Sequence, residues 1–293
     1  MHSNYKHKFL FFLACILLGF ISCTKGGDEN MAVKETKPYL NKKDSLLMVE
    51  IYKKAGPWGK KWDLQNIQTW AGVEIAHDTL FNEFRIVGFN YFGSFRGNFP
   101  EEFCQLTELR ILGLGGGTLS GNIPRDIKNL KKLEWLYVGY NHIYGKIPQE
   151  IGELKNLKEL TLGENFLSGE LPEELGNLTN LEKLTIMSTK ISGEIPKSLS
   201  KLKKAKFIYL DKNKLSGEFP IEIVNPGCVI SCADNNITSM LFDIWDDKNS
   251  SYIPDLQGNR LSGKIPDWVK KTDRWKVFSG YVGNQQEGYG YEE

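Results

Sequence analysis

The 293 residues carry 37 Lys and Arg against 36 Asp and Glu, a formal charge of +1, with 41% hydrophobic residues, 29 glycines, four histidines and five cysteines. A balance this close to neutral gives no electrostatic drive toward nucleic acid. Only His77 and His142 lie beyond residue 22, and no H-E-x-x-H, G-x-S-x-G or paired-cysteine metal spacing occurs, so neither enzyme chemistry nor a metal or cofactor is expected.

Lys6 and Lys8 precede an apolar run from Phe9 to Ile21, followed by Ser22 and Cys23. A run of 13 residues is too short to span a bilayer, and with a basic start it reads as a secretory signal peptide over residues 1–22. Its removal takes two lysines and moves the formal charge from +1 to −1. Phe20-Ile21-Ser22-Cys23 resembles a bacterial lipobox, with Phe20 where that family usually has leucine. The polar stretch Thr24 to Glu29 is similar to the export signal of Bacteroidetes surface lipoproteins. The resemblance implies a lipid on Cys23 as the only membrane attachment and an extracytoplasmic place, in the outer membrane or on the cell surface. Plain secretion is the alternative.

Residues 23–43 read as a charged tether and 44–72 as an N-terminal cap. Asp44 to Lys54 has the apolar pattern of a helix, with Asp44 as its cap; Gly56-Pro57-Trp58-Gly59 breaks it ahead of Trp62 and Trp70.

Residues 73–266 are repeats. Leu154 to Pro172 reads L-x-x-L-x-x-L-x-L-x-x-N-x-L-S-G-x-L-P. The closing Gly-x-apolar-Pro recurs at Gly97, Gly121, Gly145, Gly169, Gly193 and Gly217, each 24 residues after the last, and at Gly263 after 46. Such a period signals a solenoid, whose units bury their apolar edges only against neighbours. L-x-L alternation turns Leu160 and Leu162 inward on a short strand and leaves Glu159 and Thr161 exposed.

The runs Leu119 to Pro124, Leu167 to Pro172, Leu215 to Pro220 and Leu261 to Pro266 resemble the L-S-G-x-I-P signature of the plant-type leucine-rich repeat family. That resemblance implies an α/β solenoid. It would be a right-handed coil of about eight 24-residue repeats, with a parallel concave β-sheet, a short helical or 3-10 convex side, terminal caps and a partner on the concave face. The helix followed by Trp70-x-Gly72-Val73 is similar to the amino-terminal cap of plant members but lacks its cysteine pair, so Trp58, Trp62 and Trp70 are expected to pack as the lid.

Asn141, Asn165, Asn213, Asn235 and Asn259 stand at the ladder position, where a buried amide both donates and accepts. Gly93, Gly117 and Thr189 replace it elsewhere, which predicts looser first coils. Gly115-Gly116-Gly117 lacks the lysine and helix start of a phosphate loop and reads as a repeat turn. Val224 to Leu256 departs most, with Leu241 to Tyr252 inserted as either a decayed repeat or a functional loop. Residues 267–293 supply a C-terminal cap, through Trp268, Val269, Trp275, Val277 and Phe278, and a tail draped on the last coil. Cys104, Cys228 and Cys232 read as unbridged core thiols.

Aligning the strands gives two outward rows: Gly113, Tyr137, Thr161, Thr185, Tyr209, Ser231, Asp255; and Ile111, Trp135, Glu159, Lys183, Phe207, Val229, Ile253. Glu159 and Lys183 become neighbours and are expected to pair. Trp135, Tyr137 and Tyr140 in one coil, Phe207 and Tyr209 three coils on, and Phe166 near the rim look like interface anchors; with Glu159, Lys183 and Asp211 they form the candidate ligand-binding face. Cross-strand packing of the rings is the competing account. A non-catalytic surface protein that holds a protein or peptide fits this pattern; a glycan-binding lipoprotein is the alternative, and a structural spacer a third.

Overall fold

A computed structural model of the chain describes residues 39–55, 70–93, 95–240, 254–264, 270–271, 285–286 and 290–292. All fall in the unit Pro38–Glu293. Cys23, Trp58, Trp62, the 241–252 insertion, Trp268, Val269, Trp275, Val277 and Phe278 lie outside the described residues.

In chain order the elements are β1 (Tyr39–Leu40), α1 (Lys42–Ala55), β2 (Val73–Asp78), β3 (Glu83–Asn90), β4 (Arg96–Asn98), β5 (Ile111–Gly113), β6 (Thr118–Ser120), β7 (Trp135–Tyr137), β8 (Tyr144–Gly145) and β9 (Glu159–Thr161). There follow β10 (Phe166–Glu170), β11 (Lys183–Thr185), β12 (Lys190–Gly193), β13 (Phe207–Tyr209), β14 (Lys214–Phe219), β15 (Val229–Ser231), β16 (Asn236–Met240), β17 (Ser262–Lys264) and β18 (Gly290–Glu292). The main sheet runs β1-β3-β5-β7-β9-β11-β13-β15, with β2 antiparallel on β3; a lateral sheet runs β16-β14-β12-β10-β8. The third side of each coil is a 3-10 turn, as at Gln149–Glu153 and Glu173–Asn177. The solenoid is therefore the expected α/β one.

Each repeat motif has a conformational reason. Gly169 sits at φ +82, where a Cβ would be strained and would also lie 2.9 Å from the Lys146 chain crossing it. Pro148, Pro172 and their counterparts stand in extended backbone just before each 3-10 turn, where the missing N–H leaves nothing unsatisfied.

The ladder asparagines are all buried. Asn165 Oδ1 accepts from the Ile143 N–H at 2.9 Å, and its Nδ2 donates to the Val138 and Leu162 carbonyls at 3.0 and 2.9 Å. Where Gly117 replaces asparagine, Asn141 of the next coil accepts from the Gly117 and Leu119 N–H groups at 3.2 and 3.1 Å. A Cβ at Gly117 would meet the Phe95 carbonyl oxygen at 2.6 Å, so backbone occupies the space an amide fills elsewhere.

The N-terminal end differs from expectation. The helix begins at Lys42 and its cap is Asn41, whose Oδ1 accepts from the Asp44 N–H at 3.0 Å. Asp44 is fully buried and accepts from Arg85 Nε at 2.8 Å, Arg85 Nη2 at 3.2 Å and the Ile86 N–H at 3.1 Å. Cap formation starts inside the stretch read as tether, since β1 already pairs with β3. Met48, Ile51 and Trp70 close over Phe89, Phe95, Phe99 and Phe103 in one core. At the other end Gln285 stands in for a further ladder residue: its Oε1 accepts from the Leu261 N–H at 3.0 Å and its Nε2 donates to the Leu256 carbonyl at 3.2 Å.

Cys104, Cys228 and Cys232 are buried and free. Burial, helped by Asp126, Glu101 and Glu102, pushes the Cys104 thiol up to about 12; burial alone takes Cys228 to about 11. All three should resist iodoacetamide at neutral pH until the chain is unfolded. The unfolded chain ionises these thiols from about pH 9 and the fold does not, so their contribution to stability is complete below that pH and is lost as pH rises through the folded values, about 11 for Cys228 and about 12 for Cys104. Asn165→Ala orphans the Ile143 N–H and should cost about 2–4 kcal/mol in denaturant unfolding. Glu164→Ala should cost under about 0.5 kcal/mol; equal losses would contradict the ladder's role.

Candidate functional site

The exposed side of the main sheet is built from aligned strands. Trp135 pairs in register with Glu159, Glu159 with Lys183 and Lys183 with Phe207; Tyr137, Thr161, Thr185 and Tyr209 align the same way, continuing to Ser231 and Asp255. Both rows stand as expected, except that Ile253 lies outside the described residues.

The first aromatic cluster is larger than the sequence suggested. The Tyr137 ring lies across Gly115, where a Cβ would fall 2.0 Å from it, and meets Phe92 edge-on at 5.1 Å between centroids. Phe92 is 52% exposed and takes the position that Gly115, Gly139 and Gly163 hold in later coils; that substitution was the signal available for finding it. Burial, then Tyr140, raises the Tyr137 phenol above its ordinary value. Lys158 Nζ stands 5.1 Å from the Trp135 ring centroid and pairs with Glu134 at 2.6 Å.

The second cluster is Phe207 and Tyr209, stacked at 6.0 Å and 23°. Beside it Asp211 is engaged in structure: its Oδ1 accepts from the Ala233 N–H at 3.1 Å and from the Ser231 hydroxyl. The Asp255 carboxyl is raised by burial first and then by Asp211 and Asp234, while it accepts from the Gln257 N–H at 3.1 Å. Among the described residues no group of His, Cys, Asp or Glu is arranged to hold a metal ion.

Between the clusters two expectations fail. Thr161 and Thr185 are buried, because short side chains flanked by Tyr137, Tyr209, Glu159 and Lys183 are shaded by longer neighbours. Thr185 Oγ1 has no hydrogen-bond partner among the described residues. Glu159 and Lys183, although in register, make no ion pair with each other or with any described residue. Lysines pair instead one position earlier, Lys158 with Glu134 and Lys206 with Glu182, and three positions earlier, Lys132 with Glu108.

Two candidates lie outside the strands of the main sheet. Tyr140, 54% exposed, occupies a left-handed turn at φ 58 beyond the strand. Phe166, 48% exposed, begins β10 on the lateral sheet, with His142 at 5.6 Å and Lys190 Nζ at 5.2 Å from its centroid. The structure thus gathers Trp135, Tyr137, Glu159, Lys183, Phe207 and Tyr209 on one sheet, with Asp211 at its edge.

Among the described residues no helix is long and apolar enough to cross a membrane. No curated protein matches the chain. Solved structures do. The ectodomain of the Arabidopsis thaliana receptor kinase GASSHO1/SCHENGEN3, in complex with CASPARIAN STRIP INTEGRITY FACTOR 2, is 28% identical with a TM-score of 0.68, over 79% of this chain and 28% of that one. The Arabidopsis receptor kinase HAESA, in complex with the peptide hormone IDA and the co-receptor SERK1, is 29% identical with a TM-score of 0.55, over 70% of this chain and 34% of that one. The chain thus spans about a third or less of these receptors' length. A plant ice-binding protein, 22% identical over 80% of this chain and 84% of its own with a TM-score of 0.57, shares the fold. The family model for a leucine-rich repeat region matches residues 73–247, more than half of the sequence, and with the coil, the ladder and the register described above the chain belongs to the leucine-rich repeat family.

Proposed function

We propose that the chain is an extracytoplasmic, non-catalytic recognition protein that holds a protein or peptide partner on its main sheet, anchored by a lipid on Cys23. The observation that carries the reading is the pair of aromatic clusters, Phe92, Trp135 and Tyr137 at one end and Phe207 and Tyr209 at the other, on one parallel sheet. Strand spacing of about 4.8 Å puts them about 14 Å apart. Rings held in place by a hydrogen-bonded sheet lose little freedom on binding, which is what anchors need. The complex of HAESA with the peptide hormone IDA supports a peptide-sized occupant, and the likeness to the GASSHO1/SCHENGEN3 ectodomain agrees with the signal-like run ahead of Cys23. The spread of the rings over several coils favours a protein or peptide over a sugar, which would use a compact platform.

Capture from the native environment by the full chain, set against the double variant Trp135→Ala, Tyr209→Ala, tests this. The variant should lose the captured protein at least tenfold while keeping its unfolding midpoint within a few degrees. Retention of the partner would overturn the site, and signal on a parallel glycan array instead would move the glycan reading ahead. Cys23→Ala should shift the protein from the membrane fraction to the soluble one; continued membrane association would refute the anchor.

A further inference from the structure

We infer that the occupant of the main sheet is an extended peptide segment with apolar side chains four residues apart and a carboxamide, asparagine or glutamine, midway between them. This rests on the reading of that face as the binding surface and adds the chemistry of its centre. Trp135 and Phe207 stand three strand steps apart in one row, about 14 Å. An extended segment crossing the strands advances about 3.3 Å per residue and turns alternate side chains to the same side. Residues at either end of a five-residue stretch therefore reach the two aromatic clusters, and only its middle residue also faces the sheet.

That middle residue comes down between Glu159 and Lys183. The two are in register on β9 and β11, both half-buried, and neither has an ion pair among the described residues. This contrasts with the Glu134–Lys158 and Glu182–Lys206 pairs one position earlier. A carboxylate accepts only and an ammonium donates only, so a group seated between them must donate on one side and accept on the other. A carboxamide does both without adding a charge. A central lysine would meet Lys183, a central aspartate would meet Glu159, and a leucine would leave both charges desolvated and unpaired.

The test uses the full chain and an immobilised array of nine-residue peptides, each with tryptophan at two positions four apart and the middle residue varied among glutamine, asparagine, lysine, aspartate and leucine. Wild type should bind the amide centres at least tenfold more tightly than leucine. Lys183→Glu leaves two acceptors and should move the preference to the lysine centre; Glu159→Lys leaves two donors and should move it to the aspartate centre. A preference unchanged by both substitutions, in peptides whose binding still requires Trp135 and Phe207, would overturn the inference and leave the binding face standing. Peptide binding that ignores Trp135→Ala and Phe207→Ala would overturn the face itself. No binding of any array peptide by wild type would also reject the inference, while the capture experiment decides the face independently.

Discussion

An amide turned into the coil just after most strands of the main sheet is the interaction on which the rest of the structure depends. Asn141, Asn165, Asn213, Asn235 and Asn259 each accept from a backbone N–H of the preceding coil and donate to a carbonyl there and another in their own. Sending that side chain inward requires the chain to reverse at the residue before it. Tyr140, Glu164, Lys212 and Asp234, which precede four of these asparagines, accordingly sit at φ between 54 and 58, and Gly258 precedes the fifth at φ 67. Left-handed backbone in a residue with a Cβ costs about 1–2 kcal/mol, and a buried amide that would otherwise leave several groups unpaired offsets it. Coil-to-coil register follows, and with it the alignment of every outward side chain.

That alignment divides the exposed residues into those the fold uses and those it leaves free. Asp211 is committed to Ser231 and Ala233, and Lys158 to Glu134 and the Trp135 ring. Glu159 and Lys183 are left without ion pairs among the described residues, between two ring clusters that the sheet holds apart. A rigid scaffold with uncommitted charges at its centre suits selection by chemistry more than by induced fit.

The period, the strand register and the inward asparagines were legible because they are properties of backbone repetition, which sequence records directly. The end caps and the details of the face were not. Asp44 looked like a helix cap because an acid at a helix start usually is one; its role as a buried partner of Arg85, 41 residues away, is a tertiary fact with no local signal. Sequence proximity to the strand aromatics does not reveal that the chain turns at residues 140 and 164, which puts Tyr140 in the turn and Phe166 on the lateral sheet. Phe92 was missed because the first coil departs from the period.

The two ends of the repeat array use different polar chemistry, and the difference follows from which groups each presents among the described residues. At the amino-terminal end the open groups are donors, the Ile86 N–H and the Arg85 guanidinium, so a carboxylate, which only accepts, is sufficient, and Asp44 supplies it from α1. At the carboxy-terminal end both a donor and an acceptor are open, the Leu261 N–H and the Leu256 carbonyl, so the closing group must be an amide. Gln285 precedes β18, which pairs parallel with β17, and its extra methylene extends the reach of the amide. Side chains that satisfy end groups in this way leave less open backbone for another chain to pair with.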